Sequence, residues 1–187
     1  MTSHRGRTWA PKGKTPVVRF NGASRGRVTR AALACCKPGE RSRLIYRPRV
    51  QSHHLGAQRG VTCQNYRDLL VRAHLRLGGP LVVIWDNLHV HRSAGIREYA
   101  AEHDWLTIVQ LPTYAPDLNP VEGIWSLLRR AVTANTVFTD REHLVRAVRS
   151  GMHRIQRNPS LIDGCLAGTG LVPWRHDTDL TTLRKGQ

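Results

Sequence analysis

Leu81-Val82-Val83-Ile84-Trp85-Asp86-Asn87 is the stretch on which the fold turns. An unbroken apolar row closed by a carboxylate reads as a strand buried on both faces, with an acid at its carboxyl end. In open α/β sheets that end is where ligands collect. A second stretch, Tyr114-Ala115-Pro116-Asp117-Leu118-Asn119-Pro120-Val121-Glu122, lies downstream, with residues 87–121 separating Asp86 from Glu122. Asn119 before Pro120 is a helix N-cap followed by proline at the first helical position, which places Glu122 in the first turn. A strand-end Asp and a helix-start Glu can converge on one metal ion.

Working outward, the apolar positions 66, 69, 70, 73 and 77 mark one face of a helix over residues 66–77, stopped by Gly78-Gly79-Pro80. A helix is expected at 93–103 and a second buried strand at 105–111, a strand-helix-strand unit that implies parallel pairing. Further helices are expected over about 120–131 and 141–155 from their apolar stripes. Upstream, β-like runs at 16–20, 28–36 and 43–50 are separated by Asn21-Gly22 and Lys37-Pro38-Gly39, the signals of an antiparallel meander. Residues 172–187 show little periodicity and read as a flexible tail, leaving 1–171 as a single domain.

The 187 residues carry a formal net charge of +16, placed unevenly. Residues 1–67 hold 15 Lys or Arg against the single acid Glu40. Of the 29 cationic side chains 25 are Arg, whose planar fork of donors suits phosphate oxygens. Nucleic acid is therefore the expected partner, against a plainer reading as compositional bias and solubility. Cys35, Cys36, Cys63 and Cys165 form no CxxC pair and no zinc spacing, so reduced, mostly buried thiols are expected. The opening residues are polar and basic rather than a secretory signal, and no apolar run approaches the ~18 residues of a spanning helix. The expectation is a cytoplasmic protein without a membrane partner.

At this point a resemblance becomes specific. The segment Val83-Ile84-Trp85-Asp86-Asn87, with the block from Leu111-Pro112-Thr113 through Asn119-Pro120-Val121-Glu122-Gly123-Ile124-Trp125, resembles the DDE transposases of the mariner superfamily, in particular their bacterial insertion-sequence branch. Arg7-Thr8-Trp9-Ala10-Pro11-Lys12-Gly13 is similar to the segment that follows the first catalytic strand in that family, and the similarity runs over about residues 5–171. The resemblance implies an RNase H-like (retroviral-integrase-like) α/β fold, a mixed sheet flanked by helices. It implies catalysis by three carboxylates holding two divalent cations, Mg²⁺ or Mn²⁺, for phosphodiester cleavage and strand transfer at insertion-element ends. It implies DNA as partner, both terminal repeats and target, and is compatible with a homodimer in the bacterial nucleoid.

The resemblance maps the second acid onto Asp86 and the third onto Glu122. The first acid, expected just upstream of the segment at 7–13, has no counterpart, because no Asp precedes Asp68 and that residue falls in a helix. The first strand and the amino-terminal helix-turn-helix region of the family also have no counterpart. The expectation is a truncated catalytic domain with negligible cleavage on its own; the rival readings are a non-enzymatic Arg-rich DNA-binding remnant and a different RNase H-like nuclease.

Each residue carries a plainer reading as well. Asp86 could cap a turn with Asn87, which in the other reading orients Asp86 or a water. Glu122 with Asn119 resembles a capping box, and Asp117 reads as a turn former before it reads as a supporting ligand. His89 and His91 read as a solvated loop pair, and Trp85, Trp105 and Trp125 as core. Arg129 and Arg130 are candidates for backbone phosphates or plain helix charges, and Arg25, Arg27 and Arg30 on the Arg-rich strands are candidates for sequence-independent DNA contact.

Overall fold

The computed structural model describes residues 11–14, 28–50, 60–133, 136, 138 and 140–170. The run expected at 16–20, the candidates Arg25 and Arg27, Trp9 with most of the segment at 7–13, and the tail at 172–187 lie outside them.

Strands β1 (Val28–Cys35) and β2 (Arg43–Val50) form the expected antiparallel pair, with Leu33 opposite Ile45. Lys37-Pro38-Gly39 makes the turn between them. Gly39 takes φ 76°, a region open to glycine, and Glu40 N–H donates to Lys37 O at 3.0 Å. Alternation then gives the pair two apolar faces: Ala31, Leu33, Cys35 and Ile45 join one core, while Ala32, Ala34, Leu44 and Tyr46 join another.

Helix α1 (Cys63–Leu77) covers the first face through Tyr66, Leu69, Leu70 and Ala73. It begins three residues before the periodic stripe because Thr62 and Asn65 form a capping box outside it, and Gly78 at φ 65° ends it. Strand β3 (Leu81–Trp85), helix α2 (Ala94–Ala101) and strand β4 (Leu106–Gln110) form the strand-helix-strand unit, with β3 and β4 parallel. The two strand pairs are separate sheets sharing one core.

One expectation fails here. Strand β3 is buried on one face only: Leu81, Val83 and Trp85 enter the core shared with α1 and α2, while Val82 is 68% and Ile84 45% exposed. Helices α3 (Pro120–Leu128), α4 (Arg141–Gln156) and α5 (Pro159–Ala167) pack on the second face of β1 and β2 instead. A continuous apolar run records that a strand can be buried twice, not that a second layer reaches it.

Helix α5 was not expected, although Asn158-Pro159 is a helix-start signal and Ile162 and Leu166 are fully or nearly buried. The helix expected over 120–131 changes character after Leu128, becoming a π-helical turn, Arg129–Thr133. Among the cysteines Cys35 is buried and Cys36 exposed, with Cys63 and Cys165 between, so they are free but not mostly buried. No helix among the described residues is long and apolar enough to cross a membrane.

Candidate metal and nucleic-acid site

Pairing of β3 with β4 continues one step past the strand, because Leu111 N–H donates to Trp85 O at 2.9 Å. The Asn87 side chain closes the same end, its Nδ2 donating to Leu111 O at 2.7 Å. Asn87 therefore fastens the two strand ends together rather than orienting Asp86.

Asp86 emerges at this fixed point. Its Oδ1 accepts from Leu88 N–H at 3.1 Å and from His91 Nδ1 at 2.9 Å. Its Oδ2 faces Asn119 Nδ2 at 3.5 Å, and the side chain remains 48% exposed. The turn role and an open carboxylate coexist: Oδ1 holds the loop, and Oδ2 points toward the second motif.

Asn119 is the joint between the motifs. Its Oδ1 accepts from Val121 N–H at 3.1 Å and so caps α3, while its Nδ2 reaches Asp86. Pro120 fills the first helical position, and Glu122 N–H donates to Asn119 O at 3.0 Å. The capping box expected of Glu122 does not form, since Asn119 N–H donates to Pro116 O and the Glu122 carboxylate makes no hydrogen bond among the described residues. Glu122 is exposed in the first turn of a helix whose cap touches Asp86.

His91 corrects the expectation of a solvated loop pair: His89 is exposed, but His91 is 8% exposed. Its ring stacks on Trp85 with centroids 4.3 Å apart and meets the Tyr66 ring edge-on at 4.6 Å. Burial lowers the His91 pKa against the opposing pull of Asp86, so at neutral pH the imidazole is uncharged and the contact is a hydrogen bond rather than an ion pair. Both neighbours of Nδ1, Asp86 Oδ1 and Asp86 O, are acceptors, which puts the proton on Nδ1 and leaves Nε2 buried without a partner. Burial, with the Asp86 charge second, pushes the Tyr66 phenol up to about 12. No periodicity in the sequence marks a residue that folds back across a turn, which is why His91 and the bridging role of Asn119 were missed.

Around Glu122 the charges are basic. Arg30 on β1 places its guanidinium 4.5 Å from the Trp125 ring centroid, one turn along α3 from Glu122. Burial lowers the Arg30 pKa to about 10, Arg129 adds to the lowering, and Glu122 opposes it. Arg30 is thus a half-buried cation packed on α3. Arg129 and Arg130 are exposed where α3 passes into the π-helical turn. Asp117 is exposed in the 3-10 turn Pro116–Leu118 and joins neither acid, and Asp68 is held on α1 by Arg47 and Gln64. Beside the site, Tyr114 takes φ 59° and is 97% exposed, an unusual backbone for a bulky residue.

A DDE superfamily endonuclease domain matches residues 1–145. Over 89 residues, 48% of this chain and 26% of the relative, the sequence is 26% identical to the insertion element IS630 uncharacterized 39 kDa protein of Shigella sonnei. Over 73 residues, 39% of this chain and 51% of the relative, it is 30% identical to the uncharacterized protein y4pE/y4sA of Sinorhizobium fredii. The chain therefore spans between about a quarter and about half of these relatives. The crystal structure of the Mos1 mariner paired end complex with Mn superposes with a TM-score of 0.51 at 15% identity, over 89% of this chain and 51% of that one. That likeness gives the fold, which is RNase H-like. With Asp86 at a strand end, Glu122 at a helix start and a domain match across most of its length, the chain belongs to the DDE superfamily endonucleases.

Proposed function

We propose that Asp86 and Glu122 are metal-ligating carboxylates of a transposase catalytic domain whose reaction is phosphodiester cleavage and strand transfer at the ends of an insertion element. The observation that carries this reading is the Asn119 bridge: one side chain caps the helix that presents Glu122 and reaches Asp86 Oδ2 at 3.5 Å. The donor chemistry suits Mg²⁺ or Mn²⁺, because both side chains offer hard carboxylate oxygens and the His91 nitrogen nearest Asp86 is engaged as a hydrogen-bond donor. When bound, such a cation supplies a Lewis acid that stabilises charge on phosphate oxygens. The chain's own part is to hold two carboxylates at a strand end and a helix start, with Arg129 and Arg130 exposed nearby for backbone phosphates.

Among the described residues no three His, Cys, Asp or Glu gather into a metal cluster. Every acid of the sequence except Asp177 and Asp179 lies within those residues. We therefore expect the 187-residue chain to bind a divalent cation through two carboxylates and to cut DNA poorly by itself. The alternative, an Arg-rich DNA-binding remnant, shares this absence of cleavage but needs no metal.

Titration calorimetry with Mn²⁺ separates the two. Asp86→Asn and Glu122→Gln should each weaken binding at least severalfold, and Mn²⁺ affinity unchanged in both variants would overturn the metal reading. Incubating the chain with Mg²⁺ or Mn²⁺ and a terminal-repeat duplex tests the rest: metal-dependent cuts abolished by Asp86→Asn would uphold the site and overturn the expected inactivity.

A further inference from the structure

Apart from the Asp86 site, a cleft of about 550 Å³ opens beside β2, lined by Tyr46, Arg72, Arg149, Ser150, His153 and Gln156. None of these residues is bonded to Asp86, Asn119 or Glu122. Helix α1 lies on one face of β2 and α4 on the other, so the cleft is the opening between two helices across one strand. On α4, Arg149, His153 and Gln156 follow the i, i+4, i+7 spacing of a single stripe. Gln156 Nε2 donates to Leu44 O at 2.9 Å and ties that stripe to β2. Arg72 faces it from α1.

The charge of the cleft is one-sided. No acid lines it, and neither Arg72 nor Arg149 forms an ion pair among the described residues. The acid one turn before Arg72, Asp68, is already occupied by Arg47 and Gln64. Two guanidinium groups held toward the same opening repel each other unless an anion lies between them, and their donor forks match phosphate oxygens. The lining residues other than Tyr46 are exposed, which suits a polymer making several solvated contacts better than one sequestered phosphate.

The geometry points to this cleft as a second DNA-backbone site, in which Arg72 and Arg149 contact phosphates of duplex DNA without reading its sequence. It needs no metal and does not rest on the roles of Asp86 and Glu122.

The test is binding of a labelled random-sequence duplex to the full chain, without divalent cations, across a potassium chloride series. For Arg72→Gln with Arg149→Gln, the dependence of log affinity on log salt should become shallower by roughly 0.9 for each lost phosphate contact. Arg97→Gln on α2 should leave it unchanged, and because no divalent cation is present, failure of the metal reading leaves this result untouched. A slope unaltered in the double variant would overturn the proposal. Phenylglyoxal modification of the unmutated chain, mapped by mass spectrometry, gives the answer if the double variant does not fold. The duplex should protect Arg72 and Arg149 while Arg97 stays reactive. Equal modification with and without DNA, or protection by an acidic peptide but not by DNA, would overturn it.

Discussion

His91 Nδ1 stands 2.9 Å from Asp86 Oδ1, and the same imidazole is pressed flat against Trp85, the residue before Asp86. The histidine is thereby fixed in ring plane by stacking and in tautomer by its acceptors, and it fixes one carboxylate oxygen in turn. Oδ2 is left as the oxygen directed at Asn119.

This pairing makes the two amide substitutions inequivalent. The Asn amide nitrogen can stand where Nδ1 stands, whereas the Gln amide reaches toward the Nε2 position. His91→Asn should therefore retain Mn²⁺ affinity close to the parent, while His91→Gln and His91→Leu should weaken it. Each variant gives up ring stacking, so thermal stability should fall in all three. A hydrogen bond to a charged group contributes about 1.5–3 kcal/mol, and the half-exposed Asp86 brings the expected loss to the lower end. Equal Mn²⁺ affinity in the Asn and Gln variants would show that His91 supports only packing.

Asn119 serves the cap and the bridge through different atoms, and substitutions can part them. Asn119→Ser keeps an N-cap oxygen and removes the Nδ2 contact with Asp86, so unfolding stability should change by only a few tenths of a kcal/mol while the geometry at Asp86 loosens. Asn119→Ala loses both and should cost ~1 kcal/mol. Urea denaturation of the two variants, set beside their Mn²⁺ titrations, checks the separation.

Gly151 sits inside α4, where alanine would ordinarily stabilise a helix by about 1 kcal/mol. Here a Cβ would collide with Val132 Cγ2 and stand 2.5 Å from Leu128 Cδ1, so the close approach of α4 to the end of α3 decides the sign. Gly151→Ala should destabilise by roughly 1–3 kcal/mol, read as a lowered melting temperature. A raised melting temperature would mean that the two helices separate freely.

Cys35 is buried, and burial pushes its thiol from 9.0 up to about 12, with Cys36 adding and Arg43 opposing. The raised folded value means this group supports folding fully below pH 9 and less as pH climbs toward 12, by ~1.4 kcal/mol per pH unit in that window. Cys35→Ala should flatten that part of the stability profile. Alkylation at pH 8 should label the exposed Cys36 and spare Cys35 until the chain is unfolded, and rapid labelling of native Cys35 would contradict its burial.

The elements that were legible carry their instructions locally. Strand β3 has the expected bounds, and β1, β2 and β4 fall within a residue of theirs, because apolar runs and turn residues are short-range signals. Asp86 and Glu122 could be picked out because a strand-end acid and an Asn-Pro helix start are local too. Less legible were the features set by what packs against what. Val82 and Ile84 look like core in the sequence, yet no layer among the described residues buries them. Glu122 with Asn119 reads as a capping box, yet the cap is made by Asn119 to Val121 alone.

By itself, then, the sequence determined the strand-helix-strand unit, the two acids with their family motif and the basic charge, since each resides in neighbouring residues or in composition. The tertiary structure alone decided that His91 is buried on Trp85 and grips Asp86, that Asn119 joins two motifs far apart in the chain, and that Arg30 is laid over Trp125 rather than left open to solvent. Those are relations between side chains brought together by the packing of separate elements. Their energies come from burial and from hydrogen-bond geometry, which depend on distance in space and have no period along the chain.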